Sequence, residues 1–236
     1  MKIGILQCGH TVPEIQRTHG NFPEMFERLL GNETFSYESF DIEGMAFPDS
    51  VTQCDGWLLT GSVHAAYQDH AFIPPLEAFI QAAYAAHIPM VGICFGHQII
   101  AQALGGHVEK FEGGWMLGLK EYDFDGLGPV FQNAWHEDQV LRIPDGAVCV
   151  ASNADCAHAA LVYDTRAFTV QFHPEFDGKL ITDYVRLRRG TKDYPDDRMN
   201  DAARRSGEAD SNAMLARRIA AFFLQHRIAP RDPANT

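Results

Sequence analysis

Cysteine and basic residues are both scarce in this sequence. The five cysteines are an odd number in a chain of 236 residues, and no two of them form a Cys-x-x-Cys pair. This usage excludes a disulfide-dense scaffold and is typical of a reducing, cytoplasmic compartment. The 19 Lys and Arg residues are outnumbered by 31 Asp and Glu residues, which gives a formal net charge of −12 at pH 7. Because negative charge repels phosphate groups, this balance predicts neither nucleic acid nor an anionic membrane as a partner.

A long, purely apolar run is also missing. The stretch 78–108 carries no Asp, Glu, Lys or Arg, but it contains histidines, glutamines, glycines and a proline. A lipid-facing span would not tolerate polar groups at that density, so we predict that this stretch is the buried centre of a globular fold. The apolar core of the first eight residues is too short for a signal peptide. With 46% hydrophobic and 21% charged residues, the composition is that of an ordinary globular protein.

The first half of the chain alternates strand-like runs with amphipathic stretches. Short apolar or alternating runs predict strands, and apolar residues at three- and four-residue spacing predict helices. The predicted strands are 3–7, 34–40, 56–60 and 90–93, and the predicted helices are 22–30, 73–87 and 96–104. Strands that alternate with helices build parallel sheets covered on both faces. We therefore predict an α/β fold with three layers around a doubly wound, mostly parallel sheet.

The second half of the chain is richer in β-like stretches. Five of them lie close together between turn signals; they are 117–124, 140–143, 147–151, 159–163 and 168–172. We expect them to extend the same sheet as an additional β-rich edge, within a single domain covering residues 1–236. Segment 183–210 holds seven basic and seven acidic residues, which predicts a salt-bridged surface or a mobile loop rather than a binding arm. A terminal amphipathic helix is predicted at about 211–227.

The most informative motif lies between a predicted strand and a predicted helix. Cys94 stands there between Gly92 and Gly96, which is the nucleophile-elbow pattern with cysteine in place of serine. Small residues two positions away leave room for a sharp turn that lifts the sulfur out of the sheet. The positive end of the following helix favours the thiolate form. A structural cysteine beside a glycine turn gives the same pattern, so this motif alone leaves both interpretations open.

A second motif supplies the other groups that a cysteine nucleophile needs. Such a nucleophile requires a base, and the base requires an orienting acceptor. The run His173-Pro174-Glu175 provides both, because proline favours an extended conformation at the residue before it. Residues i and i+2 of an extended chain project to the same side, so the imidazole and the carboxylate can lie together. We predict Cys94 as nucleophile, His173 as general acid and base, and Glu175 as its orienting acceptor.

With these two motifs the sequence resembles the class I, triad-type glutamine amidotransferases. Residues 92–98 read Gly-Ile-Cys-Phe-Gly-His-Gln and residues 173–175 read His-Pro-Glu, which match the two hallmark motifs of that family. The order of Cys, His and acid differs from that in α/β-hydrolases, where the acid precedes the His. The resemblance covers roughly residues 1–180. It implies a flavodoxin-like fold, attack of a thiol on a γ-carboxamide, a γ-glutamyl thioester and release of ammonia.

The resemblance also implies five further site residues. The backbone N–H of Phe95, which follows the nucleophile, is expected to donate to the oxyanion. A second donor is expected from the loop that contains Gly61 and Ser62. Gln98 matches the family residue that contacts the bound glutamyl group from the helix. His136 lies in a stretch whose backbone helps to hold the α-amino and α-carboxyl groups of the substrate.

The sequence departs from the family pattern in that last stretch. Trp135 and Glu137 stand on either side of His136, where family members usually have a small polar residue and a glycine. The expected substrate is glutamine or a related γ-glutamyl amide. The departure keeps a γ-glutamyl peptidase of the same superfamily as the alternative.

The sequence carries no recognisable machinery for activating an ammonia acceptor. It has no P-loop, no dinucleotide-binding fingerprint and no Ser-Gly-Gly-x-Asp-Ser loop. We therefore expect a stand-alone amidase whose partner is its small-molecule substrate, with a non-catalytic or regulatory subunit of a synthetase as the alternative from another class. The spacing of Cys8, His10 and His19 matches no standard zinc motif, and we predict neither a metal nor a cofactor.

Overall fold

Eleven strands lie within residues 1–225, the part of the chain that the computed structural model describes. They are β1 (Lys2–Gln7), β2 (Ser36–Asp41), β3 (Gly56–Leu59), β4 (Met90–Ile93), β5 (His107–Lys110), β6 (Met116–Phe124), β7 (Gly128–His136), β8 (Asp138–Arg142), β9 (Val148–Asn153), β10 (Cys156–Tyr163) and β11 (Ala167–Val170). Nine of them form one sheet, in the order β2-β1-β3-β4-β11-β10-β9-β6-β7. The first five in this order run parallel, and the last four extend the sheet through antiparallel pairings. The predicted parallel sheet with a β-rich edge is confirmed.

Helices cover both faces of this sheet. They are α1 (Pro13–His19), α2 (Phe22–Leu30), α3 (Ile73–Ala85), α4 (Phe95–Ala103), α5 (Gly178–Arg188), α6 (Asp196–Arg205) and α7 (Asn212–Gln225). Side chains alternate across β3, so that Leu58 is buried in one hydrophobic cluster while Trp57 and Leu59 are buried in another. The first cluster includes residues of α1, α2, α5, α6 and α7, and the second includes residues of α3 and α4. The predicted three-layer α/β architecture is therefore confirmed.

Local sequence signals account for the elements that were predicted most closely. Helix α2 starts at a capping box in which the side chains of Asn21 and Glu24 satisfy backbone N–H groups at the helix start. It ends at Gly31, whose φ of 75° suits a residue without a Cβ atom. None of the helices within residues 1–225 combines the length and the apolar character that a membrane crossing requires.

One predicted strand belongs to a different sheet. The stretch predicted at 140–143 forms β8, which pairs with β5 in a separate two-stranded sheet rather than extending the main one. Its Val140 pairs with Val108, and both side chains are buried in the cluster that contains α3 and α4. The edge of the main sheet is β7 instead. This strand was not predicted, because polar residues such as Gln132 and Asn133 interrupt its apolar pattern although both are buried.

The charged segment 183–210 contains helix α6. A mobile loop, one of the two structures expected for this segment, is therefore not what the structure shows there. Met199 and Ala202 are fully buried in the first cluster, and the opposite face of the helix carries most of the charge. Lys120 on β6 forms an ion pair of 2.9 Å with Asp201. These contacts agree with the alternative expectation of a salt-bridged surface. The predicted terminal helix corresponds to α7, and positions 226 and 227 of that prediction lie outside the described residues.

Candidate active site

Cys94 occupies a strained turn between β4 and α4. Its φ of 54° and ψ of −104° place a non-glycine residue in a conformation that L-residues rarely adopt, which is characteristic of a nucleophile elbow. The two glycines beside it are required by the backbone. A Cβ atom on Gly92 would lie 2.4 Å from the carbonyl oxygen of Gly96, and one on Gly96 would lie 2.4 Å from that of Leu59. The turn therefore forms only with residues that have no side chain at these positions.

His173 and Glu175 form a buried pair on the loop after β11. The Nδ1 atom of His173 lies 2.7 Å from Oε1 of Glu175, and the two side chains are 4% and 0% exposed. The backbone N–H of His173 donates to the carbonyl of Asn133 on β7 at 2.8 Å, and the Asn133 side chain donates to the carbonyl of Phe176. The loop is therefore fixed to β7 at both ends of the motif. The imidazole of His173 and the carboxylate of Glu175 project to the same side of the chain, as the extended conformation predicts.

The charge state of His173 is set by its neighbours. Burial by itself lowers the pKa of this histidine, but its electrostatic interactions and hydrogen bonds with Glu175 and Cys94 raise that pKa well above the ordinary value. The raised pKa favours the protonated form of the imidazole beside the sulfur. Because Nδ1 is hydrogen-bonded to Glu175, Nε2 is the ring nitrogen that can interact with the sulfur of Cys94. The amide nitrogen of Gln171 also approaches the sulfur, at 3.7 Å.

The loop with Gly61 and Ser62 lies directly beside this pair. A Cβ atom on Gly61 would be 3.0 Å from Cε1 of His173, so the backbone of the loop is close to the imidazole. The hydroxyl of Thr60 fixes the loop, because it accepts from the N–H of Cys8 and donates to the carbonyl of Gly61, both at 3.0 Å. Phe95 begins α4, so its backbone N–H has no acceptor within the helix. The structure thus places one predicted donor directly after Cys94 in the chain and the other donor segment beside the imidazole of His173.

Gln98 and His136 share an acceptor at the base of the cavity. The Gln98 amide nitrogen donates to the carbonyl of Asp138 at 2.8 Å and to the Gln171 side chain at 3.2 Å. The Nδ1 atom of His136 donates to the same carbonyl at 3.2 Å. Burial, together with the positive charge of His173, lowers the pKa of His136 to about 3. His136 is therefore a neutral imidazole, and its buried Nε2 has no hydrogen-bond partner within the described residues.

These residues border a cavity of about 380 Å³. Among the residues predicted from the sequence, Ser62, Cys94, Gln98, His136 and His173 line it. Glu175 is hydrogen-bonded to the imidazole of His173, Gly61 lies against that imidazole, and Phe95 follows Cys94 directly in the chain. All eight predicted site residues are therefore brought to one place. Within residues 1–225 there is no group of three or more His, Cys, Asp or Glu side chains that could hold a metal ion.

An aromatic wall on one side of the cavity was not predicted. It consists of Trp115, Trp135, Tyr184 and Tyr194, which all line the cavity. Neighbouring rings have centroid distances of 4.6 Å for Trp115 and Tyr194, and of 4.9 Å for Trp135 and Tyr184. Two of these residues come from the charged segment that was interpreted as surface. One sequence signal could have indicated that part of this segment lines the cavity. Tyr184 and Arg188 are four residues apart on one helix and so share a face.

Comparisons with known proteins agree with this geometry. Residues 24–186 match the family model described as glutamine amidotransferase class-I. The chain is 29% identical over 244 residues to a glutamine amidotransferase-like protein of Schizosaccharomyces pombe, a match covering 94% of this chain and 98% of that protein. It is 27% identical over 187 residues to gamma-glutamyl peptidase 3 of Arabidopsis thaliana, covering 72% and 75%. The solved structure of a glutamine amido transferase from Methylobacillus flagellatus shares the fold with a TM-score of 0.78 and 20% identity, covering 100% of this chain and 98% of that one.

Proposed function

Because the chain belongs to the class I glutamine amidotransferase family, we propose that it hydrolyses the γ-carboxamide of glutamine, or of a related γ-glutamyl amide, through a thioester on Cys94. The observation that carries this proposal is the strained elbow of Cys94 beside the buried pair of His173 and Glu175. Cys94 is the nucleophile, His173 the general acid and base, and Glu175 the acceptor that orients the imidazole.

The first half of the reaction forms the thioester. The sulfur of Cys94 attacks the γ-carbonyl carbon, and the electron pair of the C=O bond moves onto oxygen. The N–H groups of Phe95 and of the Gly61–Ser62 loop donate to this oxyanion; removing one such donor typically costs about 3 kcal/mol in other enzymes. As the C–N bond breaks, the Nε2 proton of His173 moves to the leaving nitrogen. Ammonia, or an amine, departs and the γ-glutamyl group stays on the sulfur.

The second half returns the enzyme to its starting state. A water molecule attacks the thioester carbonyl and gives one proton to the neutral imidazole of His173. The C–S bond breaks, glutamate is released, and the thiolate and the imidazolium are restored. Glu175 accepts from Nδ1 throughout, so the same nitrogen of His173 faces the reacting atoms in both halves.

The polar groups of the cavity suit a γ-glutamyl substrate. The amide nitrogen of Gln98 is used by two protein acceptors, so its oxygen is the atom left for a ligand. The carboxylate of Asp138 also lines the cavity, where it accepts from the hydroxyl of Tyr67 at 2.9 Å. Both groups are acceptors, and the α-ammonium group of a glutamyl moiety offers the matching donors.

A γ-glutamyl peptidase is the second candidate, and the aromatic wall favours it. Trp135 replaces the small residue usual in the family and contacts Tyr184 and Tyr194 at the cavity. Glu137 also lines the cavity and forms an ion pair of 3.0 Å with Lys110. The thioester chemistry is the same for an amide and for a γ-peptide bond. A leaving group larger than ammonia would use a wall that glutamine does not need.

Product analysis with purified protein tests the proposal. The wild type is expected to release ammonia from glutamine or an amine from γ-glutamyl compounds, and Cys94→Ala is expected to lose this activity by about 10⁴-fold or more. Cys149→Ala serves as the control, since Cys149 is a free, half-buried thiol away from the cavity. If the wild type and Cys94→Ala were both inactive on all of these substrates, the proposal that the protein is such an enzyme would be rejected. Activity that appears only with a synthetase present would favour a subunit role instead.

A further inference from the structure

Aromatic side chains form a continuous row that starts at the proposed general acid. The imidazole of His173 stacks on Phe176, with a centroid distance of 4.0 Å and an interplanar angle of 6°. Phe176 is 5.7 Å from Tyr184, which is 4.9 Å from Trp135. The row then continues to Tyr194 and Trp115. The cavity therefore has one aromatic side, which begins at His173 and continues to Trp115.

Arg188 lies in the helix that contributes Tyr184 to this row. It stands in the last turn of α5, one helical turn after Tyr184, and it is half-buried and lines the cavity. Nearby cations have partners, since Lys110 pairs with Glu137 and Arg186 pairs with Asp183. Within residues 1–225, no carboxylate forms an ion pair with the guanidinium of Arg188. A guanidinium beside an aromatic wall of a cavity is suited to bidentate binding of a carboxylate.

The position of the general acid determines which part of a substrate meets this wall. His173 must lie next to the leaving nitrogen in order to protonate it. The acceptors Gln98 and Asp138, which suit the glutamyl α-ammonium group, are not part of the aromatic row. The row that starts at His173 is therefore on the leaving-group side. Arg188 and Tyr194 also lie beyond residues 24–186, which match the family model, so the family match does not extend to them.

We propose that Arg188 and the aromatic wall bind the amine side of the substrate, and that this amine is an amino acid with a free carboxylate and a large apolar side chain. This inference rests on the proposed function and specifies its substrate class. The substrate is then a γ-glutamyl amino acid. Its hydrolysis breaks the γ-peptide bond, adds water, and yields glutamate and the free amino acid. The rings of Trp115, Trp135 and Tyr194 contact the side chain, and Arg188 binds the carboxylate.

Two substrates that differ only in one carboxylate test this assignment. γ-Glutamylphenylalanine and γ-glutamylphenethylamine share the glutamyl group and the aromatic ring, but only the first has a carboxylate on the amine side. In the wild type, kcat/KM is expected to be higher for γ-glutamylphenylalanine than for γ-glutamylphenethylamine or glutamine. Arg188→Gln is expected to lower kcat/KM for γ-glutamylphenylalanine by about 10- to 100-fold, the range of a lost charge-assisted hydrogen bond. The same variant is expected to change the value for γ-glutamylphenethylamine by less than about threefold.

Arg186→Gln is the matched control. Arg186 lies in the same last turn of α5 and is exposed, with Asp183 as its ion-pair partner. Its substitution by glutamine removes the same charge. It is expected to leave both kcat/KM values unchanged. Thermal unfolding of both variants checks that each one folds.

The outcomes separate this inference from the proposed function. A wild type that hydrolyses glutamine but neither γ-glutamylphenylalanine nor γ-glutamylphenethylamine would overturn the inference and leave the proposed function standing. An equal loss on both aromatic substrates in Arg188→Gln would place Arg188 at the glutamyl α-carboxylate and would also overturn it. A wild type inactive on all three would reject the proposed function itself.

Discussion

His173 and Glu175, two residues apart in the chain, form a hydrogen-bonded pair of 2.7 Å whose side chains are almost completely buried. Because the carboxylate is this close, it stabilises the positive charge of the imidazolium and raises the pKa of His173 against the effect of burial. The pair therefore sets both the orientation and the protonation state of the group that faces Cys94.

Glu175→Gln is expected to shift the pH dependence of the reaction. The imidazolium of His173 supplies the proton to the leaving group, so kcat/KM falls at high pH as this proton is lost. A raised pKa places that alkaline limb at higher pH, and removal of the carboxylate lowers the pKa and moves the limb to lower pH. We also expect a loss of about 100-fold in kcat at neutral pH, within the range of general acid–base contributions.

The measurement is a pH–rate profile of Glu175→Gln against the wild type, with Glu14→Gln as the control. Glu14 is an exposed residue of α1 whose partner is Arg17, and its substitution removes the same charge at a residue that does not line the cavity. An unchanged alkaline limb in Glu175→Gln would contradict the role assigned to the pair.

Gly92→Ala is expected to damage the elbow itself. The added Cβ atom would lie 2.4 Å from the carbonyl oxygen of Gly96 and 2.9 Å from the backbone nitrogen of His97, so β4 and α4 must move apart. Such overpacking typically costs about 1–3 kcal/mol of folding free energy. Both the unfolding midpoint and kcat are expected to fall. Gly207→Ala is the control, because nothing lies within 4 Å of a Cβ atom there; a stable, fully active Gly92→Ala would show that the turn is not constrained in this way.

Met199→Ala is expected to destabilise the protein through α6. Met199 is fully buried although its helix is rich in charge. Removing a buried side chain of this size typically costs about 2–5 kcal/mol. Denaturant unfolding measures the change, with the exposed Lys192→Ala as the control. Equal unfolding midpoints for the two variants would mean that α6 is not packed on the sheet.

The sequence was sufficient to predict which side chains form the candidate site, because their structural requirements are local. The turn at Cys94 needs glycine at positions 92 and 96 because the backbone passes too close there for a side chain. These requirements fall within five consecutive residues. His173 and Glu175 are held on one side by the extended chain around Pro174. Each motif also falls at the end of a strand that could be recognised from its apolar residues.

The aromatic wall could not be predicted in the same way. Trp115, Trp135 and Tyr194 are far apart in the sequence, and only the packing of β6, β7 and the α5–α6 region brings them together. The charge of segment 183–210 also concealed its buried residues, since Met199 is isolated among polar neighbours. Strand β8 shows the same limit, because its apolar pattern does not reveal that its partner is β5.

Reaction with an electrophilic glutamine analogue, in which a diazoketone replaces the γ-carboxamide, tests the central claim most directly. Burial raises the pKa of Cys54 to about 11 and that of Cys156 to about 12, and it also raises the pKa values of Cys8 and Cys149. These four thiols are therefore expected to react more slowly at neutral pH than an ordinary cysteine. The sulfur displaces N₂ from the diazo carbon, and peptide mapping by mass spectrometry is predicted to find the resulting ketone thioether on Cys94 alone, with activity lost in proportion to labelling. An adduct on another cysteine, or full labelling of Cys94 with activity retained, would contradict the account.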